Sequence, residues 1–87
     1  MSSVILYTTR ICPYCWRARE LLQRKGVAFE EISVDQNPEH MATMRQRSRR
    51  NTVPQIFIGN HHVGGYDDLA LLEARGELDA LLAAADG

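Results

Sequence analysis

Two cysteines, the only ones in the chain, stand three apart as Cys12-Pro13-Tyr14-Cys15. Such a pair can bind a metal, form a permanent staple or exchange disulfides with another molecule. In exchange the attacking species is the thiolate, so the surroundings of the first sulfur decide what the pair does. The motif follows the apolar run Val4-Ile5-Leu6-Tyr7 and precedes a helical pattern. A strand that ends in Cys-x-x-Cys and enters a helix aims a thiol at the helix's positive end. Backbone N–H groups there lack partners, and the macrodipole favours negative charge. Cys12 is therefore expected to ionise below the free-thiol value of about 8.5 and to act as a nucleophile near neutral pH. A zinc site needs four ligands, and His40, His61 and His62 show no ligand spacing to the pair, so no metal is expected. A pair of inert buried thiols is the blander reading; the place of Cys12 ahead of the helix argues against it.

The elements that must position these sulfurs are legible in outline. A first strand reads Val4 to Thr8, apolar on both faces as a central strand would be. A helix follows from about Pro13 to Lys25, with proline in its first turn and Gly26 at its stop. Cys15, Ala18 and Leu22 share one stripe with Leu21 beside it, so Cys15 faces inward and Cys12 is the exposed thiol. A second strand spans about Phe29 to Val34. Asn37 caps a helix from Pro38 to Arg47 that buries Met41 and Met44. A third strand, Gln55 to Ile58, turns at Gly59-Asn60 into a fourth, His61 to Val63, with one of the two histidines facing out. Final helices cover about Asp68 to Ala74 and Leu78 to Ala84, parted by Gly76. The order β-α-β-α-β-β-α predicts an α/β fold: a four-stranded mixed sheet with helices on both faces, the last strand pair antiparallel.

With 87 residues, 45% hydrophobic and 24% charged, the chain is read as a single domain over 1–87 with a modest core. No apolar run approaches the roughly 20 residues that span a bilayer. Met1-Ser2-Ser3 carries no basic or apolar leader, so a cytoplasmic protein is expected, where a Cys pair is catalytic or metal-binding more often than a permanent staple. The net charge of −1 is uneven. Residues 1–50 hold nine Lys/Arg against five Asp/Glu, net +4; residues 51–87 hold one against six, net −5. This polarity can steer a small anion. Without interleaved aromatics, the cluster Arg45, Arg47, Arg49, Arg50 reads as a solvated helix end, not a nucleic-acid surface.

Three separated segments now stand in order: Cys12-Pro13-Tyr14-Cys15, Thr52-Val53-Pro54 and Gly64-Gly65-Tyr66-Asp67-Asp68. Together they resemble the glutaredoxins, specifically the small bacterial dithiol type, over nearly the whole chain. The resemblance implies a thioredoxin fold and glutathione-dependent reduction of protein disulfides and glutathione mixed disulfides. It implies Cys12 as nucleophile, Cys15 as resolving thiol, and glutathione as co-substrate with no permanently bound cofactor. It also implies a cis Val53–Pro54 bond, with Val53 backbone groups meeting the cysteinyl part of glutathione. The helix opened by the Gly64-Gly65-Tyr66-Asp67 segment would receive the γ-glutamyl carboxylate and Asp67 the γ-glutamyl ammonium. Tyr14, Thr52, Pro54 and Tyr66 complete the implied site. Many members carry a lysine three residues before the first cysteine. Thr9 stands there in this chain, and Arg10 is the candidate substitute, or one of the four arginines for the glycyl carboxylate.

Tyr14 is read as a substrate contact. Trp16 serves equally as a partner contact or as plain helix surface. Asp67 and Asp68 also suit a helix cap. Expected partners are glutathione and disulfide-bearing or glutathionylated proteins, met by a monomer without nucleic acid or membrane. Two rival functions share the cysteines. A thioredoxin-like redoxin would take electrons from a flavoprotein reductase, against which the Gly64–Asp67 segment speaks. A glutathione-ligated iron–sulfur carrier would carry a smaller residue at position 13, where this chain has Pro13.

Overall fold

The computed structural model describes residues 4–86. Met1-Ser2-Ser3, read above as lacking a leader, and Gly87 lie outside the described residues. The elements run β1 (Val4–Thr8), α1 (Pro13–Arg24), β2 (Glu30–Ser33), α2 (Pro38–Ser48), β3 (Gln55–Ile58), β4 (His61–Gly64), α3 (Tyr66–Ala74) and α4 (Leu78–Asp86). The strands form one sheet in the order β2-β1-β3-β4. β1 pairs parallel with β2 and antiparallel with β3, which pairs antiparallel with β4. This is the mixed sheet expected from the order of elements, and it is the thioredoxin fold.

Alternation along the central strands divides the core in two. Val4 and Leu6 of β1 and Ile56 and Ile58 of β3 face α1, α3 and α4, meeting Ala18, Leu22, Leu69, Leu78 and Leu82. Tyr7 and Phe57 face the other way, onto Met44, Val34 and the half-buried Met41. Tyr7 and Phe57 meet edge to face at 5.9 Å. Each fully buried Leu or Ile stabilises the fold by about 1.5–3 kcal/mol, so the larger cluster, under three helices, dominates. It anchors α1 and so the ends of the active segment.

The boundaries differ slightly from those predicted. β2 is shorter than the apolar run because only Glu30–Ser33 pairs with β1, although the Val34 N–H still donates to Thr8 O at 2.8 Å. α3 begins at Tyr66, two residues early, because the Asp68 carboxylate reaches back to accept the Gly65 N–H. Gly26 ends α1 in a left-handed conformation, φ +71°. Among the described residues no helix is long and apolar enough to cross a membrane.

Candidate active site

Cys12 follows the loop that leaves β1. Its backbone is extended, φ −154° and ψ 102°, and it is the N-cap of α1. The cap atom is sulfur: Cys12 Sγ accepts the Cys15 N–H at 3.1 Å, where a serine or aspartate oxygen would ordinarily sit. Pro13 occupies the first helical position, where a missing N–H removes nothing. Cys12 Sγ also lies 3.9 Å from the Val53 carbonyl, which can accept the S–H of the protonated form. Cys12 is partly exposed and Cys15 wholly buried; both are free thiols. Burial pushes the Cys15 thiol up to about 12, and its hydrogen bond with Cys12 adds to this. The Thr9 backbone and the Arg19 charge oppose the shift without cancelling it. The pair thus joins an accessible sulfur on a helix start to one that stays protonated in the core.

The Val53 carbonyl leads from the sulfur into a cleft of about 240 Å³. Tyr14 of α1 lines it, with Arg50, Thr52, Val53 and Pro54 from the segment between α2 and β3, and with Gly65, Tyr66, Asp67 and Asp68 from the start of α3. The Val53–Pro54 peptide is cis. The Tyr14 and Tyr66 rings stand 6.2 Å apart, and the Arg17 guanidinium lies 5.6 Å from the centre of Tyr14. Asp68 Oδ2 accepts the Gly65 N–H at 2.9 Å and pairs with Arg50 at 3.3 Å. Gly64 makes that approach possible: its φ is +115°, and a Cβ there would collide with the Asp68 carboxylate. Asp67 is exposed and, among the described residues, has no ion-pair partner. The cleft therefore offers one cation, one carboxylate without a counter-ion, a helix N-terminus and two aromatic rings.

Seven residues singled out by sequence line this cleft together: Tyr14, Thr52, Val53, Pro54, Gly65, Tyr66 and Asp67. Arg10 is the exception and does not line the cleft. Its Nε faces Asp35 at 3.5 Å and its backbone N–H donates to the same carboxylate at 3.2 Å. The Ser33 hydroxyl, ahead of the Arg10 backbone, holds that carboxyl below the usual range, so Asp35 is a ready anion at the end of β2. Arg10 accordingly lines a separate hollow with Thr8, Arg19 and Glu31. The cation of the cleft is Arg50, which sequence reasoning named only as one of four. Its place two residues ahead of Thr52-Val53-Pro54 was the available signal. Arg47 turns elsewhere, onto the Phe57 ring at 4.2 Å and the Tyr7 hydroxyl at 3.1 Å. Among the described residues no cluster of three or more His, Cys, Asp or Glu could hold a metal ion.

Comparison with known proteins agrees with this geometry. A family model described as Glutaredoxin matches residues 4–63. A Pseudomonas aeruginosa protein named Glutaredoxin is 57% identical over 84 residues, covering 97% of this chain and 100% of its own length. Glutaredoxin 3 of Escherichia coli K12 is 54% identical over 82 residues, covering 94% and 99%. The solution structure of glutaredoxin from Brucella melitensis, 58% identical, superposes with a TM-score of 0.82 over 94% of this chain and 89% of its own. The crystal structure of a buckwheat glutaredoxin–glutathione complex, 28% identical, does so with 0.89 over 97% and 79%. A sulfur-capped helix on this sheet, matched along most of its length by relatives that share more than half its residues, makes the chain a member of the glutaredoxins, the thiol–disulfide oxidoreductases of the thioredoxin fold.

Proposed function

We propose that this chain reduces glutathione mixed disulfides and protein disulfides at the expense of glutathione, with Cys12 as nucleophile and Cys15 as resolving thiol. The observation that carries the reading is the Cys12 sulfur, 3.1 Å from the Cys15 N–H at the start of α1 and 3.9 Å from a carbonyl that lines a two-signed cleft. Glutathione bears two carboxylates and one ammonium, and the cleft's Arg50, Asp67 and α3 N-terminus match that set. The buckwheat glutaredoxin solved with glutathione supports the same ligand here.

On a glutathionylated protein, the Cys12 thiolate attacks the glutathione sulfur. The new bond is a Cys12–glutathione disulfide, and the protein leaves as its thiolate, which water protonates. A second glutathione thiolate attacks the bound glutathione sulfur, releasing glutathione disulfide and restoring Cys12. On a protein disulfide, Cys12 bonds one sulfur and the other leaves. Cys15 then attacks the Cys12 sulfur, its proton passing to the departing thiolate, and a Cys12–Cys15 disulfide forms. Two glutathiones return the dithiol. Burial suits Cys15 to the second task only: held protonated, it does not compete with Cys12 for the first attack. We further read the chain as one domain acting as a monomer in the cytoplasm, the compartment in which a Cys-x-x-Cys pair is kept reduced for exchange.

The test separates the two sulfurs. Cys12→Ser should abolish turnover of every substrate. Cys15→Ser should keep removal of glutathione from a glutathionylated peptide, with glutathione as sole reductant, and lose reduction of a protein disulfide. Turnover by Cys12→Ser would overturn the assignment. A need for a flavoprotein reductase would overturn glutathione as the electron source.

A further inference from the structure

Beneath the cleft lies a buried polar relay that the chemistry above does not use. Gln55 opens β3 and is fully shielded from solvent. Its amide nitrogen donates to Thr52 O at 3.0 Å and lies 3.3 Å from Thr52 Oγ1. Its amide oxygen lies 2.7 Å from His62 Nε2. The directions follow from chemistry. A carbonyl only accepts, so the Gln55 nitrogen must face Thr52 O and the Gln55 oxygen must face His62. That oxygen only accepts, so His62 carries its proton on Nε2. The imidazole is held in turn by stacking on Phe57, its partner across β3 and β4, at 4.7 Å and 24°.

We propose that Gln55 and His62 are positioning residues for glutathione, a relay from β4 through β3 that fixes the Thr52–Val53 backbone for the incoming tripeptide. The inference rests on the glutathione reading of the cleft and goes beyond it to residues that line no part of it. Thr52 and Val53 lie in neither helix nor strand, so no sheet ladder orients their peptide groups. Gln55 draws the Thr52 carbonyl toward the interior. The Val53 carbonyl, 3.9 Å from the Cys12 sulfur, is left to face the reacting centre. A backbone edge ordered in advance spares the ligand the loss of freedom that ordering it would require. The bonds involved are part-buried, and all meet at the fully buried Gln55 amide, where losing one strands a buried partner. His62 stays neutral in this role: burial, and then the charge of Arg50, hold its imidazolium below the usual range.

The test compares His62→Phe, which keeps the stack on Phe57 and removes the N–H, with His62→Gln, which restores a donor. Both leave Gln55 in place, and Gln55→Glu, which turns an oxygen toward Thr52 O, is the third variant. Steady-state turnover of a glutathionylated peptide with glutathione is the readout, alongside iodoacetamide alkylation of Cys12. His62→Phe and Gln55→Glu should raise KM for the peptide about tenfold. Alkylation of Cys12 should stay at the parental rate, and His62→Gln should recover most of the loss. A parental KM in folded His62→Phe, or a loss in kcat alone, overturns the relay. If Gln55→Glu fails to fold, the two His62 variants decide by the same criteria. A parent protein that cannot use glutathione overturns the reading of the cleft itself, and the relay with it.

Discussion

At the scale of single residues, two sulfurs of one chemical type are made unlike by a few ångströms of depth. Cys12 sits on a helix start and Cys15 one turn inside, wholly buried. The raised Cys15 value has a consequence for stability. The folded chain holds that proton up to about 12, whereas an unfolded thiol releases it near about 8.5. Below the unfolded value the contribution is complete, and it is lost as pH rises toward the folded value. Urea unfolding midpoints should therefore fall between about pH 8.5 and 11 more steeply in the parent than in Cys15→Ser, which has no thiol to titrate there. Parallel curves would mean the thiol is not held. The placement of the two cysteines was legible because N-cap and inward stripe are local patterns of a few residues. The choice between Arg10 and Arg50 was not. It turns on Asp35, 25 residues from Arg10 in sequence, which claims that side chain once β1 and β2 lie side by side.

At the scale of elements, boundaries carry the site. Gly64 ends β4 and lets the Asp68 carboxylate fold back onto the Gly65 N–H, so that α3 starts facing the cleft. Gly64→Ala should destabilise by about 1–3 kcal/mol, from a left-handed backbone and a displaced carboxylate together. Arg49 is the opposite case. It ends α2 at φ 60°, a left-handed conformation ordinarily given to glycine, and its backbone N–H closes on Arg45 O. Arg49→Gly should stabilise by about 0.5–1 kcal/mol once the added freedom of the unfolded chain is counted. Urea unfolding of the pair checks both signs. The sequence pattern marked strand and helix cores well, since Val4–Thr8 and Gln55–Ile58 are short apolar runs between clear breakers. It could not reveal that Gly65, not Asp67, caps α3 at its backbone, because that depends on where one carboxylate swings.

At the scale of the whole molecule, one cation gathers three helices. Lys25, the chain's only lysine, closes α1 with its Nζ 2.7 Å from Glu73 of α3 and 3.1 Å from Asp79 of α4. The Glu73 contact, then the Asp79 contact, holds its ammonium above the usual range. Lys25→Met should lower Tm by a few degrees in dilute buffer, with the gap narrowing in about 1 M salt, where such pairs are screened. A gap that ignored salt would assign the effect to packing. The residues that frame the cleft come from both ends of the chain's lopsided charge: Arg50 closes the basic first part, Asp67 and Asp68 belong to the acidic second. The sulfur cap draws chemistry and architecture into one atom. The Sγ that accepts the Cys15 N–H at the opening of α1 is also the exposed thiol of the pair, so replacing that one atom alters the helix start and the reactive group together.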